Sequence, residues 1–144
     1  MPYATVADML ARFGEAELTR LTAAEGALDG GVVTERVETA LAEATGLIDS
    51  YLRRRWAVPL AAPVPVEIVR ACCVLARYDL AHGEQREPSE QMRLARKEVI
   101  EWLAALADGA AALDGAVPAA GAAGAGAMAS DRARAFSAES LRGW

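Results

Sequence analysis

TERVETALAEATGLIDSYLRRRWAVPLAAPVP, residues 34–65, reads as one long helix with a hard stop. Val37, Leu41, Ala44, Ile48, Tyr51 and Leu52 recur at spacings of three and four, which lays them in one stripe over about five turns. Thr34 stands where an N-cap belongs, and Glu35 and Glu38 place negative charge in the first turn, against the positive end of the helix dipole. Pro59, Pro63 and Pro65 forbid continuation. A core stripe of that length needs partners, and the flanking sequence offers four.

Upstream, Thr5 and Asp8 form a capping box with Asp in the place of Glu, ahead of Val6, Met9, Leu10 and Phe13 on one face. Gly14 stops that helix, and EAELTRLT (15–22) puts Leu18 and Leu21 together in a short second one. AAEGALDGG (23–31) reads as an exposed loop, with Gly30 and Gly31 free to take positive φ. Downstream, a fourth helix starts near Pro65. Its Ile68, Val69, Cys72, Leu75, Ala76 and Leu80 give a broad apolar face suited to packing on more than one side. Ser89 caps a fifth helix with Met92, Ala95, Val99, Trp102, Leu103 and Leu106 as its stripe, and Gly109 supplies the C-cap. No segment alternates with period two. The expected fold is all-α, a compact bundle of about five helices over residues 1–109 with an extended C-terminal arm.

That arm divides in two. Residues 110–129 are an Ala/Gly-rich linker that as a coil spans roughly 25 Å. Residues 130–144, SDRARAFSAESLRGW, form a docking arm too short to fold alone. Its three arginines and two aromatics fit either a remnant without a role or a motif that orders on a partner. In the second reading Arg132, Arg134, Phe136, Leu141, Arg142 and Trp144 are the partner-binding residues.

The chain has 144 residues, 53% hydrophobic, 6% aromatic and 24% charged, with a net charge of −5. Arg132, Arg134 and Arg142 balance Asp114, Asp131 and Glu139, so the whole deficit lies in the helical part. An acidic body does not build the phosphate-neutralising surface that duplex binding requires. Arg12 and the acids interrupt every apolar run, so neither a signal peptide nor a membrane span is expected, and the chain should be cytoplasmic.

Little in the sequence offers catalysis. His82 is the single histidine, beside Gly83 at a helix end, and with Cys72 and Cys73 it does not make a zinc site. The adjacent cysteines read as small buried residues of a reducing compartment. Gly121, Gly124 and Gly126 follow no strand and open no helix, so they are not a phosphate loop. No catalytic, cofactor-binding or metal residue is expected, and the protein is read as no enzyme. Arg53, Arg54, Arg55 and Trp56 stand apart in a chain short of positive charge. They fit a helix C-terminus charged against its dipole, or a subunit interface, where Arg beside Trp is a frequent composition.

Four blocks carry a resemblance in order and spacing. They are YATVADMLARFGEAELTRLT (3–22), ALAEATGLIDSYLRRRWAVPL (40–60), VPVEIVRACCVLARYDLAHG (64–83) and ARKEVIEWLAALADG (95–109). Together they resemble the head–tail connector (adaptor) proteins of Mu-like and related tailed bacteriophages, over about residues 2–109. The most telling residues are Ile48, Asp49, Tyr51 and Leu52, then Arg55, Trp56, Pro59 and Leu60. Trp56 departs from the tyrosine expected there, and the Ala/Gly segment is unusually long.

The resemblance implies a homo-oligomeric ring, a dodecamer of about twelve copies, beneath the portal protein. Such a ring joins the capsid vertex to the next connector or tail-completion protein. It surrounds the channel through which DNA passes without specific binding, at the head–tail junction of the virion. Assembly would take place in the host cytoplasm, with no membrane involved. An acidic wall suits that passage because it repels the duplex. Two other readings compete: a generic helical intracellular scaffold with a disordered tail, and a small helical DNA-binding regulator.

Overall fold

The computed structural model describes residues 1–24, 30–83 and 86–120. They form five helices: α1 (Val6–Phe13), α2 (Glu15–Thr22), α3 (Thr34–Leu52), α4 (Val66–Ala81) and α5 (Glu90–Asp108). The chain is all-helical as expected, and among the described residues no strand forms beyond isolated bridges.

α4 is the centre. It packs on α3 along one side and α5 along another, while α1 and α2 close the remaining flank. Its Ile68, Ala71, Cys72, Cys73, Leu75 and Ala76 are all buried, as a helix enclosed by several partners requires. The α3 stripe answers with Val37, Leu41, Ala44, Ile48 and Leu52, and α5 with Val99, Leu103 and Leu106. Each fully buried Leu or Ile contributes about 1.5–3 kcal/mol of transfer free energy, so this three-helix seam carries most of the stability.

Helix ends match the sequence reading at α1 and α5 and depart from it at α3. Thr5 Oγ1 accepts from the Asp8 N–H at 3.2 Å, while the Asp8 carboxylate accepts from the Thr5 N–H at 2.7 Å. Those bonds hold the Asp8 carboxyl below its ordinary pKa. Ser89 caps α5, and Gly109 ends it at φ 82°. Thr34, expected as the α3 cap, is instead the first helical residue; Val33 is the cap and gives no side-chain bond. Glu38 therefore falls beyond the first turn, and only Glu35 remains in it. Leu10 also departs from its stripe, standing 36% exposed while Met9 is buried.

Residues 110–120, read as the start of a tether, run back along the body. Leu113 is buried, and Ala111 and Ala116 pack against the core. The Ala57 N–H donates to Val117 O at 2.8 Å and the Ala119 N–H to Arg55 O at 2.9 Å. This short antiparallel pairing lays Pro118 beside Trp56. The remainder of the linker, 121–129, and the docking arm, 130–144, lie outside the described residues.

Candidate partner-binding surface

Residues 53–56 form a corner where the C-terminal ends of α3 and α5 meet. The arginines do not continue the helix; they make the turn that ends it. Each has a separate task. Arg53 Nε donates to the Asp49 carbonyl at 3.3 Å, inside the last turn of α3. Arg54 reaches Asp108 at 3.5 Å, with both side chains more than 70% exposed. Arg55 lies over the Trp56 ring at 5.8 Å, and its guanidinium covers Gly109 so closely that a Cβ there would overlap it. Two helix C-termini, each with a partial negative charge, thus share one cationic turn.

Trp56 is 8% exposed and belongs to the core, covered by the 116–119 segment. The corner therefore shows arginine at its surface and keeps its aromatic inside. Arg132, Arg134, Phe136, Leu141, Arg142 and Trp144 lie outside the described residues. The Ala119 N–H donates to Arg55 O, so the described chain ends beside this same corner.

Sequence reading missed the groups that anchor the corner from within. Tyr3 is buried, with its N–H donating to Thr45 Oγ1 at 3.0 Å. Its hydroxyl donates to the Asp49 carboxylate and accepts from the Leu60 N–H at 2.9 Å. Burial, and then the Asp49 bond, push its pKa up to about 12. This latch explains why Asp49 and Leu60 stood among the telling residues. Tyr3 lies more than 40 positions away, and local spacing carries no signal of it. Arg77 was also passed over. Its Nε and Nη2 both reach Glu17 Oε1 at 2.6 Å, and it lies over the Phe13 ring at 4.6 Å, joining α4 to α1 and α2.

A wide depression of about 710 Å³ opens where α2 ends, lined by Arg36, Asp79, His82 and Arg86 among others. Its arginines serve the backbone. Arg36 donates to Thr22 O at 2.9 Å, and Arg86 donates to Arg20 O, Leu21 O and Ala23 O at 2.6–3.1 Å. These are the orphan carbonyls of a helix end. His82 stacks on Tyr78 at 6.0 Å. Cys72 and Cys73 are both buried and unbonded to each other; burial raises both thiols, Cys73 to about 11. Among the described residues no three His, Cys, Asp or Glu side chains cluster to hold a metal, and no helix is long and apolar enough to cross a membrane.

A family model described as Bacteriophage Mu, Gp36 matches residues 3–130. Gene product J of Escherichia phage Mu is 38% identical over 112 residues, covering 76% of this chain and 74% of that protein. Mu-like prophage FluMu protein gp36 of Haemophilus influenzae is 38% identical over 78 residues, 54% of this chain and 52% of that relative. The matched span takes in all five helices, the Tyr3 latch, the 53–56 corner and the returning segment, and so the chain belongs to the bacteriophage Mu Gp36 family.

Proposed function

We propose that this phage protein is a structural head–tail connector that forms a ring beneath the portal and joins the capsid vertex to the tail. The reading assigns it no catalysis and no cofactor. Its partners are further copies of itself, the portal protein and the next connector or tail-completion protein, with DNA passing through the channel unbound. The observation that carries it is the corner: the helical body holds a cationic turn where α3 and α5 end, and the described chain returns to that turn through the Ala119–Arg55 hydrogen bond. Membership of a phage Mu family and the acidic balance of the helical part support the same role.

Residues 132–144 dock on the portal or on a neighbouring copy, with Phe136, Leu141 and Trp144 as the anchors. Repetition around a ring gives such arms high effective concentration, so no single contact need be strong. The test is association with purified portal protein, by light scattering and then imaging. The full chain should stack on the portal, and a chain lacking residues 130–144 should keep its helix content but lose the attachment. Infectious particles assembled with the truncated chain would overturn the arm. Absence of any association with the portal would favour the helical scaffold instead.

A further inference from the structure

We infer that copies of this chain meet edge to edge, the outer face of α3 in one against the outer face of α5 in the next. The inference rests on the ring reading and supplies its contact surfaces. α3, α4 and α5 each pack against the other two, so α3 and α5 each keep one face turned away from that seam.

The face of α3 turned away from the core carries Glu35, Thr39, Ala42, Glu43, Gly46 and Ser50, all but one spaced by three or four and all exposed. It is acidic in its first half. On α5 the corresponding outward face carries Arg93 and Lys97 with Leu94 between them, and Leu94 is 53% exposed. Arg96 lies alongside, over the Tyr78 ring at 4.8 Å, and its Nε has no hydrogen-bond partner among the described residues. The first half of that face thus sets exposed Arg93 and Lys97, with half-buried Arg96 beside them, against the single carboxylate of Glu90; exposed Glu98 and Glu101 follow in its second half. The partners these cations have within the chain are weak. Arg93 reaches Glu87 at 3.3 Å and Lys97 reaches Glu101 at 3.8 Å, both pairs well exposed, and such pairs exchange readily for better ones.

Charge complementarity selects the occupant. A cationic strip with an apolar knob meets an acidic strip with a low middle, and both belong to the same chain. The low middle has no explanation inside the subunit. Gly46 lies in mid-helix, where glycine weakens the helix relative to alanine, yet a Cβ there would meet nothing within 4 Å. A second helix laid over Ala42 and Gly46, with Leu94 as its knob, makes use of that missing side chain. Because the two faces differ, the contact is head to tail and extends from copy to copy until it closes. Pairing the α3 face with itself would set Glu against Glu; pairing the α5 face with itself would stop at a dimer, which the Leu94→Cys single variant reads directly.

The test uses the full chain, alone at high concentration and mixed with purified portal protein. A chain carrying Ala42→Cys and Leu94→Cys is oxidised and separated on a denaturing gel. The expected result is a ladder running past dimer, absent from each single-cysteine variant and from the parent, whose own cysteines are buried. Adding R93E and K97E should abolish the ladder; adding E35K and E43K to that same chain should restore it. All these positions are exposed, and helix content by circular dichroism checks that each variant folds. A dimer from one single-cysteine variant, no ladder under either condition, or a ladder indifferent to the charge reversals would overturn the contact. Portal association, read in the same samples, keeps the two ideas apart. Portal binding without a ladder sinks the contact alone, whereas a ladder without portal binding supports the contact and sinks the connector role.

Discussion

The two ends of the described chain are tied to the same stretch, residues 45–60, and by opposite means. At the N-terminal end Tyr3 enters the core and bonds Thr45, Asp49 and Leu60 with buried atoms. At the C-terminal end residues 116–119 lie across Arg55 and Ala57, held by two backbone bonds and small side chains. Buried bonds to a charged group are strong because breaking them strands the partners without water. Backbone bonds at an exposed edge trade with solvent at small cost. The first tie is therefore part of the cooperative fold, and the second is a strap at the point where the arm departs.

The sharpest way to break that contrast is at Tyr3. Tyr3→Phe leaves the ring but removes the hydroxyl, so Asp49 loses a donor and the buried Leu60 N–H loses its acceptor. The expected cost is about 2 kcal/mol, read from urea unfolding. The pH profile gives an independent reading. The folded tyrosine holds its proton up to about pH 12, whereas in the unfolded chain it titrates near 10. Below about pH 10 its stabilisation is complete, and between about 10 and 12 it is lost, because the unfolded chain releases a proton that the folded one keeps. Tyr3→Phe should lack that loss, so parent and variant converge in this window. A parallel pair of profiles would show that the hydroxyl is not held as described.

Gly109 tests how the corner itself is held. Its φ of 82° disfavours any side chain, and an added Cβ also displaces the Arg55 guanidinium. Gly109→Ala should cost about 1–2 kcal/mol, split between the backbone and the displaced arginine. In an Arg55→Ala background only the backbone part should remain, so the two changes together should cost less than their sum. Strict additivity would mean that Arg55 is loose in solution and that the corner is less ordered than the Tyr3 latch by more than the contrast allows.

The same contrast separates what was legible in the sequence from what was not. α5 was legible at both ends because its signals are local: Ser89 bonds three residues ahead, and Gly109 turns the chain by its own φ. The core stripes of α3 and α4 were legible from periodicity alone. At α3 the cap misled, because Thr34 sits next to the right place. The Val33 N–H is satisfied instead by Thr22 Oγ1 at 3.0 Å, from the end of α2. Trp56 next to three arginines looked like an outward hot spot; what buries it arrives from Pro118, some 60 residues on. The 110–120 segment reads as slack because Ala and Gly carry no periodic signal, yet buried Leu113, with Ala111 and Ala116 beside it, packs the segment on the core. Contacts closed over long separations leave no trace in local spacing, and both ties to residues 45–60 are of that kind.

Ala119→Pro probes the weaker tie with the smallest expected effect. Proline removes the N–H that donates to Arg55 O, and the neighbouring residue is already Pro118, so the extended path is preserved. Overall stability should fall by less than about 1 kcal/mol, because one exposed-edge backbone bond is exchanged for bonds to water. The local effect should be larger than the global one. The Ala57 N–H, bonded to Val117 O across the same strap, should exchange with solvent several-fold faster while core amides such as that of Ile48 keep their protection. A uniform loss of protection would place the strap inside the cooperative core. With the local result, the described chain opens outward from residue 116 before any helix does.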